Sequence, residues 1–133
     1  MTLINAVDAN EVAALSAEWG AVPRVHHDLV VDHPFLSGPQ QRIVSDGRRG
    51  EICYVMHRGD PGEGVLLHIK TIYPDGAFRL PTGGIHQDEG VFETLIREVY
   101  EETGLRVGEG ADQVQVDGFL GVISYRLRHR EMG

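Results

Sequence analysis

The stretch Gly83–Leu105, GGIHQDEGVFETLIREVYEETGL, constrains this chain more than any other. Two glycines open it, Gly104 closes it, and a helical period runs between them. Phe92, Leu95, Ile96 and Val99 recur at i, i+3, i+4 and i+7, so one stripe of the helix asks for a core. Glu98, Glu101 and Glu102 recur at i, i+3 and i+4, which places three carboxylates on one face, about a third of a turn from the apolar stripe. Like charges at these spacings repel by roughly a few tenths of a kcal/mol per pair. Carboxylates in a last turn also oppose the helix dipole, which favours a cation there. Something positive must compensate. A hard divalent cation with oxygen ligands does so economically, and Mg²⁺ suits because it binds a few carboxylates, keeps waters and takes substrate phosphates. Three clustered glutamates taken alone are explained as well by a solvated acidic face.

The spacing is tighter than a generic acidic helix requires. It reads Gly83, five residues, Glu89, seven residues, Arg97-Glu98-Val99, one residue, Glu101-Glu102, one residue, Gly104-Leu105. This resembles the signature box of the Nudix hydrolase family, G-x5-E-x7-R-E-U-x-E-E-x-G-U with U aliphatic, at every specified position. The approach Phe78–Gly84, FRLPTGG, is similar to the family's strand leading into the box, with Thr82 where a glycine is commoner.

The resemblance implies an α/β (α+β) fold: a mixed β-sheet sandwiched by helices, with the box as loop–helix–loop at the edge of a cleft. It implies a pyrophosphohydrolase acting on phosphorus anhydrides, with water attacking a diphosphate linkage between a nucleoside diphosphate and another moiety. Glu98, Glu101 and Glu102 are the implied ligands of Mg²⁺, with Mn²⁺ as a substitute, and the Gly83 carbonyl is a further candidate ligand. Glu98 or Glu102 is the implied general base, and Arg97 is implied to orient these carboxylates with Glu89 as its partner. The implied partner is a nucleotide-type small molecule. Its identity stays open, because Pro81 is the last proline and the downstream proline of ADP-ribose hydrolases is missing. No diadenosine-polyphosphate or coenzyme A signature is visible either. A non-catalytic module that binds a nucleotide as a sensor is the alternative from another class, and a small acidic metal-binding domain is a third.

Family members commonly continue further past the box, with more strands, a covering C-terminal helix and a late glutamate ligand. Here Asp112, Asp117 and Glu131 are the acids that follow Glu109, and none is clearly placed for that role. The C-terminal part therefore reads as shortened, with the N-terminal helix or the second copy of a homodimer covering the sheet face it leaves. An uncovered face or edge would be an aggregation liability.

Composition sets the remaining bounds. A length of 133 residues suits a single domain, 1–133, with an N-terminal helix and extension over 1–50 and a core over 51–133. The net charge of −8 lacks the basic footprint of a nucleic-acid binder, so no nucleic-acid partner is expected. The same charge means that an anionic substrate needs local cations to enter. Arg48, Arg49 and Arg79 are candidates for phosphate contact, although arginines exposed on an acidic protein serve solubility equally well. One cysteine, Cys53, excludes an intramolecular disulfide, and its apolar surroundings read as those of a buried thiol. No apolar run of about 18 residues occurs and the N-terminus carries no signal pattern, so no membrane is expected and the location reads as cytoplasmic.

Along the chain, Asp8 to Glu11 forms a capping box before a short amphipathic helix over residues 9–19, with Trp19 packing and Gly20 as the stop. Val25–Asp32 reads as a strand, and residues 36–50 as a loop with an extended piece at 41–44. His26, His27 and His33 have no second cluster to complete a metal site and read as solvated or structural. Glu51–His57 and Val65–Ile72 form an expected antiparallel hairpin around the turn Asp60–Gly64, and Ala77–Leu80 is an expected strand into the box. Gln113–Asp117 and Phe119–Leu127 read as further strands. His86 reads as a solvated loop residue. Tyr73, Phe78, Phe119 and Tyr125 could stack on a base but are more simply core.

Overall fold

Helix α1 spans Ala9–Trp19 and begins where its capping chemistry begins. The Asp8 carboxylate accepts from the Asn10 amide at 2.7 Å, and Glu11 Oε1 accepts from the Asp8 amide at 3.3 Å. Two of the four amides that a helix start leaves unpaired are thus satisfied by side chains. Gly20, at φ 99°, ends the helix in a conformation few other residues adopt. The structure, a computed structural model, describes residues 7–31, 48–68 and 75–130. Expectations for His33, Tyr73, Glu131, the extended piece at 41–44 and the end of the run 65–72 lie outside these residues.

Strand β1, Arg24–Val31, pairs in parallel with the late strand β4, Val122–His129. Register places Val25 opposite Ile123 and His27 opposite Tyr125, and the latter two rings stack at 5.6 Å. Strand β2, Gly50–Cys53, pairs antiparallel with β3, Thr82–Ile85. Helix α2, Val91–Thr103, follows and packs on β3 and β2. The architecture is α+β, with a mixture of parallel and antiparallel pairing in small sheets.

Several expected strands moved, for identifiable reasons. The hairpin between 51–57 and 65–72 is reduced, among the described residues, to a His57–Val65 bridge and a Leu66 amide donating to the Met56 carbonyl at 2.7 Å. The first half of that run instead pairs with the opening of the box. The strand expected at 77–80 is a single bridge from Arg79 to His68, and the true strand lies at Thr82–Ile85. Pro81 separates the two, because it has no amide to donate to a ladder. Its carbonyl still accepts from the Tyr54 amide at 3.1 Å, so pairing resumes in register beyond it. The expected strand at 113–117 is one parallel bridge, Val107 to Val114.

The core sits between α2 and the β2–β3 pair. Ile85, Val99, Thr94 and Pro81 are fully buried, and Val12 of α1 and Tyr54 are buried as well. Here the apolar stripe of α2 is corrected: Phe92 and Ile96 are 43% and 40% exposed, while Val99 and the unforeseen Thr94 face inward. Cys53 is exposed, which overturns its reading as a buried thiol. Side chains alternate along a strand, and burial of Tyr54 turns its neighbour outward.

One ion pair ties α1 to the rest. Arg49, 6% exposed, grips Glu11 with both terminal nitrogens. Its Nη2 also donates to the Glu89 carbonyl at 2.6 Å and its Nε to the His86 carbonyl at 3.3 Å. Glu11 therefore caps its own helix and neutralises a buried guanidinium, and its carboxyl is held below the usual range by that Arg49 contact. Removing one partner of such a pair leaves a buried charge unpaired. Glu11→Ala should lower the free energy of unfolding by about 2–4 kcal/mol, with Asp8→Ala costing about 1 kcal/mol, measured by urea denaturation.

Candidate active site

The site is built on a turn that presents a glutamate to an arginine. Gly90 starts α2 without a side-chain cap, and the Thr94 hydroxyl shares its one proton between the Gly90 carbonyl at 2.9 Å and Glu89 Oε1 at 2.7 Å. Glu89, just ahead of the helix, is thereby fixed facing the side chain of Arg97. Arg97 Nε donates to Glu89 Oε2 and Nη2 to Glu89 Oε1, both at 2.8 Å. This two-pronged pairing is the strong geometry for a guanidinium and a carboxylate.

The same guanidinium continues outward. Its Nη1 donates to Glu98 Oε1 at 2.7 Å and to Glu101 Oε2 at 3.2 Å, and its Nη2 to the Gly84 carbonyl at 2.8 Å. Arg97 thus joins the turn before α2, the strand β3 and two of the three clustered carboxylates. Hydrogen bonding to Arg97, more than any other cause, lowers the Glu89 pKa to about 2. The Arg97 pKa is raised by the same contact, so it stays charged at any ordinary pH.

Glu102 is held differently. The hydroxyl of Tyr54, from the residue after β2, donates to Glu102 Oε2 at 2.9 Å, and His68 Nδ1 lies 3.8 Å from the same oxygen. Burial, then the bond to Glu102, pushes the Tyr54 hydroxyl pKa up, so it remains a donor. Glu102 and His68 line an open cleft of about 470 Å³ with Leu66, Leu67, Pro81 and Thr103. Gly104, in the left-handed region at φ 76°, closes the helix as the sequence predicts, donating to the Tyr100 carbonyl at 2.8 Å.

The two glycines of β3 are needed for space. A Cβ on Gly83 would overlap Cγ and Cδ of Glu98, and one on Gly84 would lie 2.6 Å from Arg48 Nε. Neither glycine has positive φ, so close approach rather than backbone freedom accounts for both. Glu98 lies beneath one glycine and Arg48 across the next.

The sequence-derived residues are therefore placed as follows. Glu98, Glu101 and Arg97 come together; Glu102, one turn from Glu98, faces Tyr54 and the cleft. Glu98 lies against Gly83, and Arg48 lies against Gly84 on the other face of β3. Arg49 is turned inward and bonded to Glu11, His86 and Glu89. Arg79 has an exposed side chain, and its backbone bridges to His68. Asp117 lies 3.3 Å from His57 Nε2, and His26 bonds Ser124 at 2.8 Å. Phe78 and Tyr125 are exposed and contribute no core. Tyr54, Thr94 and His68 were not singled out by the sequence. A tyrosine within an apolar strand carries a hydroxyl that needs a partner when buried, and that was the available signal for Tyr54.

No three acidic, histidine or cysteine groups among the described residues converge as a ready-made metal cluster. The donor set nevertheless suits a hard cation in kind. Arg97 occupies one oxygen each of Glu98 and Glu101, and Tyr54 one of Glu102. Among the described residues, the second oxygen of each is left without a hydrogen bond. Oxygen donors on adjacent turns are what Mg²⁺ or Mn²⁺ binds.

A family model described as the NUDIX domain matches residues 46–131, about two thirds of the chain. No curated protein and no solved structure matches it.

Because Glu89 titrates well below its ordinary 4.5 when folded, its contribution to stability is present above pH 4.5 and is lost as the pH falls towards about 2. Glu89→Gln should cost about 2–3 kcal/mol at pH 7 and remove that portion of the acid limb, read from urea unfolding across this pH range. Gly83→Ala should cost about 1–3 kcal/mol by overpacking against Glu98, read the same way at neutral pH.

Proposed function

The chain belongs to the NUDIX family, whose members hydrolyse phosphorus anhydrides, and we propose that it cleaves a diphosphate linkage in a nucleotide-type small molecule. The observation that carries this reading is the arrangement of Glu98, Glu101 and Glu102, each held by one oxygen and, among the described residues, with the other left over. A divalent cation held by these residues, with the Gly83 carbonyl as a further candidate, would neutralise phosphate oxygens and acidify a bound water. Mg²⁺ is the cation proposed, with Mn²⁺ able to replace it.

The chain's own residues supply the rest. A diphosphate bridge is anionic, so water attack on phosphorus meets repulsion that positive groups must offset. Arg48, lying across Gly84 on the face of β3 away from Glu98, is kept as a candidate phosphate contact. Arg49 is assigned to the fold, since Glu11 and two carbonyls use its guanidinium. Arg79 is kept as a secondary phosphate contact. Arg97 orients Glu98 and Glu101 and does not touch the substrate. Between the two candidate bases, access favours Glu102, because it lines the cleft while Glu98 is covered by β3. Glu102 takes a proton from the attacking water as the new P–O bond forms. The bridging P–O bond then breaks, and its electron pair leaves with the departing phosphate oxygen. The apolar wall of Leu66, Leu67 and Pro81 receives the part of the substrate beyond the diphosphate.

Among the described residues, no helix is long and apolar enough to cross a membrane. A single cysteine fits the proposed cytoplasmic setting.

The test is a turnover screen with Mg²⁺ or Mn²⁺ against nucleoside triphosphates, sugar nucleotides, dinucleoside polyphosphates and dinucleotide cofactors. Metal-dependent cleavage is expected for at least one class, with Glu102→Gln lowering kcat by about 10²–10⁴-fold and Glu101→Gln abolishing that cleavage. Nucleotide binding without turnover, from folded protein, would replace the enzyme with a sensor.

A further inference from the structure

The three carboxylates of α2 do not share one support. Arg97 holds Glu98 and Glu101 but makes no contact with Glu102, the residue nearest the cleft. A glutamate on an exposed helix face has three rotatable bonds and would sample several positions, at an entropic cost when a ligand later fixes it. Glu102 is instead bonded at one oxygen by Tyr54, whose side chain cannot wander. Tyr54 is 8% exposed and its amide is tied to the Pro81 carbonyl at 3.1 Å. Its hydroxyl reaches across from the β2 side to the last turn of α2, a bond between residues 48 apart in sequence. A buried hydroxyl needs a partner, and the one this ring finds is an acid of the candidate site. The bond occupies Oε2 and leaves Oε1 to point elsewhere.

We propose that Tyr54 is the positioning residue for Glu102: its hydroxyl fixes one carboxylate oxygen so that the other is presented to a divalent cation and to the attacking water. The inference rests on the function proposed above and assigns a role outside the box to a residue that touches neither substrate nor metal. The clustered acids then have two independent clamps, a charged one for Glu98 and Glu101 and a neutral one for Glu102. A neutral clamp orients the carboxylate without spending its charge on a protein cation. Groups that orient metal-ligating side chains in this way typically alter metal affinity or activity by about 10–100-fold when removed.

Tyr54→Phe removes the hydroxyl and keeps the ring. Thermal unfolding should stay within a few degrees of the wild type, while Mn²⁺ affinity, followed by electron paramagnetic resonance of the free ion, should fall about tenfold or more. In turnover, kcat should fall with KM changed less than threefold. Glu102→Asp, which draws the carboxylate back from the hydroxyl while keeping its charge, should weaken Mn²⁺ to a similar extent. Combining it with Tyr54→Phe should add little further loss. Wild-type Mn²⁺ affinity and kcat in folded Tyr54→Phe, alongside a clear loss in Glu102→Gln, would overturn the positioning role and leave the proposed function intact. Full additivity between folded Tyr54→Phe and Glu102→Asp would make the hydroxyl independent of Glu102 and overturn it as well, and, should Tyr54→Phe not fold, wild-type Mn²⁺ affinity in Glu102→Asp would do the same. Unchanged Mn²⁺ binding in Glu102→Gln itself would instead remove Glu102 from the site and defeat the function on which the proposal stands.

Discussion

A single guanidinium makes the acidic end of α2 tenable. Repulsion among Glu98, Glu101 and Glu102, in the half of the helix where the dipole already disfavours negative charge, calls for a cation inside the structure. Arg97 supplies it with a planar fork whose donors reach Glu89, Glu98, Glu101 and the Gly84 carbonyl. Lysine could not do this, because an ammonium offers a point charge without the fixed fork that engages Glu89 twice. One positive charge set among several carboxylates still leaves the region negative. Arg97 therefore lets the helix fold while keeping the excess charge that would draw in another cation.

The supports around that helix are shared. Thr94 fixes Glu89, Glu89 fixes Arg97, and Arg97 fixes both the acids and β3. Gly83 and Gly84 admit Glu98 and Arg48 only because they carry no side chain. On the far side, the Glu89 and His86 carbonyls accept from Arg49, so the loop before α2 is held from two directions. Pre-organisation of this kind keeps acidic side chains in place without a ligand to gather them.

The parts legible in the sequence were those that depend on neighbours within a few residues. The capping of α1 by Asp8 and Glu11 and the closure of α2 at Gly104 follow from local spacing. The Glu89–Arg97 pair, eight residues apart, was legible through family resemblance. Contacts that need the tertiary pairing were not. Nothing local tells that the run after Gly50 pairs with the opening of the box rather than with 65–72, and this choice decides that Tyr54 meets Glu102. Arg48 and Arg49 look interchangeable on paper. Alternation along an extended segment sends one across Gly84 and buries the other against Glu11, so adjacent identical residues acquire unrelated work.

The Glu11–Arg49 pair also bears on where this protein can be cut. The family match begins at residue 46, which leaves α1 and β1 outside it. A fragment taken at that boundary would keep the whole box and every clustered acid. It would also strand the Arg49 guanidinium in the interior without its counter-ion, and it would strip β4 of the strand it pairs with along its full length. The segment that the family model matches thus leaves out contacts that its own buried Arg49 and β4 depend on. One carboxylate on the helix before the match, through Arg49, holds the Glu89 and His86 carbonyls at the opening of the box.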